Sequence, residues 1–307
     1  MGMKFSCSSK TSQASQREAF NQQFQRDAPF MTQITLLMKR SWQFAARNRR
    51  SQFGILVVAI CNAGLYSIIF HNVGKERMIF NPLDPYNKDD LAKNQRNQQN
   101  FVGLVFFAGM DNFMSPALAQ VLQLPILKPV FFREQSSKMY SSSAYFLSGW
   151  FTSTFNLLMY PIVSSLISFW SLGLNDSSFS NYLNWLGMLI LLTIQGSTLA
   201  FMFGSVCHDM QEASDYLATI IMFQVYGSGV YTSLKDANWF VKFLGYTSPF
   251  RYANERLMRL ALKDLSFQDQ ICDFYDYTYK DEVIPISILF IVIFFFFGWF
   301  GIWYQAK

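Results

Sequence analysis

The sequence predicts an all-α membrane protein: six transmembrane helices, an amphipathic helix ahead of the first, and a large outer loop between the fifth and sixth. Three observations predict it. Only 15% of the 307 residues are charged, against about a quarter in ordinary soluble domains. The charges are also segregated. No Asp, Glu, Lys or Arg lies between Arg50 and Lys75, Lys138 and Asp176, Asp176 and Asp209, Asp215 and Lys235, or Glu282 and Lys307, and between Arg96 and Lys128 the sole one is Asp111. These six stretches run from 19 to 37 residues, matching or exceeding the ~18 to 20 that cross a hydrocarbon core as a helix. A soluble enzyme, a nucleic-acid binder and a disulfide scaffold are excluded as main readings. The net charge of +5 comes from basic residues flanking apolar stretches, where anionic lipid headgroups are the nearer ligand. Four cysteines, Cys7, Cys61, Cys207 and Cys272, are too few and too scattered for a disulfide framework.

Residues 1–29 read as a polar cytoplasmic tail, with too little apolar content to bury. The tail holds no apolar core of a signal peptide, so the first span is expected to act as its own insertion signal. Over residues 30–50, Met31, Ile34, Leu37, Met38, Trp42 and Ala45 recur at spacings of three and four while Lys39, Arg40, Arg47, Arg49 and Arg50 fall largely elsewhere. That pattern predicts an amphipathic helix at the membrane surface. Residues 51–307 carry the six spans: Gln52–His71, Asn100–Leu122, Ala144–Leu172, Tyr182–Val206, Tyr216–Ser233 and Ile284–Tyr304. Pro82 and Pro85 mark a turn after the first. Pro161 kinks the third, a fault that neighbouring helices can make good. Pro125–Ser143 is a short charged connection carrying Lys128, Arg133, Glu134 and Lys138. Total Lys and Arg counts on the two sides, 13 against 12, do not orient the chain. The five basic residues packed between Lys39 and Arg50 do, because positive charge next to the first span sets topology. Both termini are placed in the cytoplasm, in the plasma membrane or an organelle membrane.

Side chains that could carry chemistry are sparse. With His71 and His208 the only histidines, no His-rich metal centre can be assembled, and the predicted metal and catalytic sets are empty. Gly227-Ser228-Gly229 superficially suggests an intramembrane serine nucleophile, but no later span supplies a histidine base; small residues packing helices together is the better account. No phosphate-loop motif occurs, so ATP and Mg²⁺ are expected on a partner nucleotide-binding domain and no cofactor on this chain. Asp111, beside Asn112, is the one formal charge inside a predicted span. It either faces a pathway or hydrogen-bonds a neighbouring helix; it does not face lipid. The first six residues fit the N-myristoylation pattern at Gly2, with Cys7 as a palmitate acceptor. Asn175-Asp176-Ser177 is a glycosylation sequon on the predicted outer face.

From Val130 to Pro161, the positions of Phe131, Arg133, Glu134, Tyr140, Ala144, Tyr145 and Pro161 resemble the stretch joining the second and third spans in the G subfamily of ABC transporters, the White and pleiotropic-drug-resistance type. Ser228-Gly229, Trp239, Tyr246, Ser248-Pro249-Phe250, Tyr252 and Glu255 resemble that family's fifth span and the start of its outer loop, and the helix bearing Arg40 and Arg47 resembles its connecting helix. The resemblance implies a type-2 ABC permease half that dimerises, as a homo- or heterodimer with another half-transporter. Spans two and five would line a substrate cavity, and the outer loop would partly re-enter the membrane. Arg133, Glu134, Arg40 and Arg47 would receive motion from the ATPase domain. The chain departs from the family in three ways: only the tail precedes the connecting helix, the outer loop holds Cys272 alone, and Met159 stands where an acidic residue is often found.

The function expected is therefore the membrane-spanning permease part of an ATP-binding-cassette transporter. It would export a lipid, sterol or other hydrophobic compound by alternating access, with ATP hydrolysed on a nucleotide-binding domain not in this chain. Asp111, Asn112 and Phe113 in span two and Phe223 and Tyr226 in span five are the expected cavity residues. Membrane lipids, a hydrophobic small molecule and the nucleotide-binding domain are the expected partners, and nucleic acid is not. The alternative from a different class is a non-transporting regulatory subunit that dimerises with full-length relatives.

Overall fold

The computed structural model describes residues 29–71, 88–137, 139–173, 179–230, 237–262 and 282–306. Gly2, Cys7, Asn175 and Cys272 lie outside the described residues. Among the described residues the chain is helical throughout: α1 Phe30–Arg47, α2 Arg49–Ile69, α3 Lys88–Val121, α4 Gln123–Ser136, α5 Ser142–Leu157, α6 Met159–Ser171, α7 Phe179–Val206, α8 Met210–Tyr226, α9 Trp239–Thr247, α10 Pro249–Ala261 and α11 Val283–Gln305. Among the described residues four segments are long and apolar enough to cross a membrane: α2, Gln99–Val121 of α3, α7 and α11. The stretches expected as spans three and five appear as α5, α6 and α8, of 16, 13 and 17 residues, each shorter than the ~18 that one straight span needs.

Backbone chemistry explains where these helices begin and stop. Pro29, in extended conformation, opens α1 by accepting the amides of Thr32 and Gln33. Asn48 breaks out of helical geometry, so the basic stretch divides between α1 and the start of α2. The charged connection after span two is itself a helix, α4, set off from α3 by the single residue Leu122. Pro161 has no N–H to return to the carbonyl of Leu157 and its ring crowds that carbonyl; the helix accordingly parts at Leu158 into α5 and α6. Pro116 does not break α3. The carbonyl it frees, that of Asn112, accepts instead from the Thr193 hydroxyl of α7 at 2.9 Å.

α7 is the hub, with α3, α4, α5, α6, α8, α10 and α11 all packed on it. In lipid, apolar side chains give helices little reason to associate, so close backbone approach and interhelical hydrogen bonds must do it. Both are present. A Cβ on Gly196 would stand 2.4 Å from the Phe113 carbonyl oxygen of α3, and one on Gly298 of α11 would stand 3.1 Å from the Cα of Met202 in α7. Gln195 donates to the Ser287 carbonyl at 3.0 Å and Ser205 to the Gly298 carbonyl at 3.0 Å, tying α7 to α11. Because the atom facing Gly196 is backbone and cannot swing away, Gly196→Ala is expected to part α3 from α7 and cost about 1–3 kcal/mol. A thermal melt of the detergent-purified variant, several degrees below the parent, is the check.

α9 and α10 differ in exposure. α10 carries Arg251, Glu255 and Arg259, yet all three are buried, at 2%, 0% and 9% exposure, and the helix packs on α3, α7 and α11. By contrast, α9 leaves Trp239, Phe240, Phe243 and Tyr246 exposed.

Candidate functional site

Two polar constellations stand out, and each draws together residues remote in sequence. The first joins α1 to α4. A single guanidinium nitrogen of Arg40, Nη1, lies 2.8 and 2.9 Å from the two carboxylate oxygens of Glu134. The Tyr140 hydroxyl donates to Glu134 Oε2 at 2.5 Å, and the Arg40 guanidinium also sits over the Tyr140 ring, 5.9 Å from its centroid. Two turns earlier on α1, Gln33 Oε1 accepts the Ser141 amide at 3.1 Å. Beneath these bonds Leu37, Phe131, Tyr140 and Ala144 are buried together, and Tyr145 stacks on Phe131 with ring centroids 4.5 Å apart. Burial alone would push the Glu134 carboxyl up; the hydrogen bonds from Tyr140 and Arg40 and the guanidinium charge outweigh it and hold the group below its ordinary range. Burial raises the Tyr140 hydroxyl, and its bond to Glu134 raises it further. At neutral pH the site is therefore a carboxylate held by two donors. Arg47 and Arg133 lie outside this clamp with their side chains exposed.

The second constellation is inside the membrane helices. Asp111 Oδ1 on α3 accepts from Asn62 of α2 at 2.8 Å, from Ser115 one turn on at 3.0 Å and from Tyr160 of α6 at 2.7 Å. Asn112, next in sequence, points elsewhere: it is fully buried, donates to the Ala108 carbonyl at 2.8 Å and accepts from Ser164 of α6 at 3.0 Å. Phe113 is fully buried against Phe250 of α10, ring centroids 4.6 Å apart. Phe223 and Tyr226 of α8 are 45% and 61% exposed. The structure thus gathers Asp111, Asn112 and Phe113 into the packing between α3 and its neighbours, and sets Phe223 and Tyr226 on an outward face. Ser228 is enclosed, and its hydroxyl accepts the Val230 amide at 3.4 Å. Among the described residues no three His, Cys, Asp or Glu side chains converge as metal ligands would.

Comparison with known proteins gives this helical arrangement a family. Residues 32–262 match the family described as ABC-2 type transporter. The chain belongs to that family. Relatives of this ABC-2 membrane domain include a probable ATP-dependent permease of Saccharomyces cerevisiae, 24% identical over 248 residues that make up 80% of this chain. Another is ABC transporter G family member 1 of Dictyostelium discoideum, 22% identical over 254 residues and 82% of this chain. The chain spans 22% and 30% of the lengths of these two relatives.

Several polar residues that the ABC-2 domain uses inside the protein escape a reading of the sequence. Asn62 and Tyr160 carry no sign of being partners to Asp111, from which they stand 49 residues away on either side. Lys128 shows nothing to mark it as buried. Arg251, Glu255 and Arg259, however, recur at intervals of four, which places them on one helix face; that spacing is a legible signal of α10.

Proposed function

We propose that this chain is the membrane permease part of an ATP-binding-cassette transporter, exporting a lipid, sterol or other hydrophobic compound by alternating access. ATP and Mg²⁺ would be held by a nucleotide-binding domain outside these 307 residues, and a second permease half, identical or not, would complete the substrate route. In this reading α2, α3, the bent pair α5–α6, α7, α8 and α11 are the six spans, with both termini in the cytoplasm. The observation that carries the proposal is the Arg40–Glu134–Tyr140 clamp. It ties the amphipathic α1 to α4, the helix that continues directly from the span α3, so a push received on α1 or α4 moves a membrane helix. Packed helices shift between discrete arrangements rather than deform continuously, so such a push becomes a rigid displacement. The exposed Arg47 and Arg133 are then the contacts offered to the moving domain. Asp111, Asn112 and Phe113 secure α3 to its neighbours beside the cavity, and Phe223 and Tyr226 face it from α8.

Reconstitution of the transporter with its nucleotide-binding domain in liposomes tests this. Fluorescent phosphatidylcholine and fluorescent sterol are the probes, and ATP-dependent movement of either is expected. Co-purification with a full-length relative whose flux falls when this chain is present would overturn the proposal in favour of a regulatory subunit.

A further inference from the structure

The clamp holds the C-terminal part of α4; a different device holds its middle. Lys128 is 4% exposed, and its ammonium donates to the carbonyl of Cys207, just past the end of α7. The Cys207 amide makes the last helical bond of α7, to Phe203 at 2.9 Å, after which the chain turns through His208 and Asp209 into α8. Carbonyls at a helix C-terminus lack partners in their own helix and carry partial negative charge, and a lysine ammonium is a fitting cap for them. The preceding carbonyl, Val206, accepts from Gln305 of α11 at 2.6 Å. Glu212 of α8 accepts the His208 amide at 3.2 Å. The α7–α8 turn is therefore knotted to α11, to α8 and, through Lys128, to α4.

Lys128 and Glu134 lie six residues apart on a single helix that Pro129 leaves unbroken, about 9 Å along its axis. A rod pinned at two points carries motion of one pin to the other. We propose, on the permease reading above, that Lys128 is a positioning residue: it passes displacement of α4 into the α7–α8 turn and so drives α8, the helix whose outward face bears Phe223 and Tyr226.

The link is charge-assisted, and hydrogen bonds from an ionised donor are roughly twice as strong as neutral ones. Burial lowers the Lys128 ammonium to about 8, against opposing pulls from the Cys207 thiol and Glu212. The groups around it are few. α7 carries no charged side chain, the turn brings Cys207, His208 and Asp209, α8 brings Glu212, and Asp111 of α3 is already bonded to Asn62, Ser115 and Tyr160. For a group titrating at about 8, the charged fraction falls from about 90% at pH 7 to about 10% at pH 9.

The test is hydrogen exchange of the transporter with its nucleotide-binding domain in nanodiscs, with and without ATP and vanadate, corrected for intrinsic rates. At pH 7 the nucleotide is expected to change protection in both α4 and residues 208–217. Lys128→Gln should keep the α4 response and lose that of the turn, and Lys128→Arg should retain both. Raising the parent to pH 9 should weaken the response of the turn, because the neutral amine still donates but without charge assistance, while Lys128→Arg holds it. A response of the turn that persists in Lys128→Gln overturns the proposal. Should Lys128→Gln not fold, a response of the parent that is unweakened at pH 9 overturns it. If neither segment of the parent responds, the permease reading itself fails.

Discussion

Glu134→Ala is expected to lower ATP-driven transport by at least about tenfold while leaving the protein folded. The two halves of that expectation follow from where the pair sits. The Arg40 side chain is 49% exposed and that of Glu134 21%, and half-solvated ion pairs contribute only about 0–1 kcal/mol to stability. The apolar contacts of Leu37, Phe131, Tyr140 and Ala144 beneath the pair survive the substitution, so α1 stays docked. What is lost is register. Three donor contacts converge on one carboxylate from two segments, and without them α1 can slide on α4. A shift of about 1.4 kcal/mol in the balance between coupled and uncoupled arrangements is already a factor of ten. Size-exclusion profile and melting temperature should match the parent, and flux per ATP hydrolysed should not. Exchanging the charges, Arg40→Glu with Glu134→Arg, should recover part of the flux. Parental flux in Glu134→Ala would remove the clamp from the coupling route.

The largest effect on stability is expected in α10. Arg259 Nε and Nη2 lie 3.3 and 3.2 Å from Glu255 Oε1, and Glu255 is fully buried. Removing the acid takes a fully buried counterion from the Arg259 guanidinium, and breaking a buried pair costs about 3–5 kcal/mol. Glu255→Ala should therefore melt far below the parent in detergent or fail to accumulate. The double variant Glu255→Met/Arg259→Met should recover much of the loss, because two well-packed apolar side chains often serve as well as a buried pair. A single variant that melts with the parent would mean that α10 is not locked into the helices around it.

Much of this architecture was legible before any coordinates. The charge-free stretches announce membrane helices, and the three-and-four spacing of Met31, Ile34, Leu37 and Trp42 announces α1. The family resemblance puts Arg40 and Glu134 in one functional region, though nothing in the spacing says that they touch. The break at Leu158 could have been placed from Pro161 by counting back to the carbonyl its ring disturbs. The burial of α10 was less accessible: burial of an ion depends on a partner, and here the helix presents Glu255 to Arg259 while its other sides meet α3, α7 and α11.

The sequence by itself determined that this chain lives in a membrane and roughly where each long helix runs, since transfer into lipid is a local sum over consecutive side chains. Tertiary structure alone decided which polar groups meet: Asp111 with Asn62 and Tyr160, Thr193 with the carbonyl that Pro116 frees, Lys128 with the end of α7. In a medium without water each such group must find its partner inside the protein. That partner stands on another helix, at a distance along the chain that no local pattern encodes.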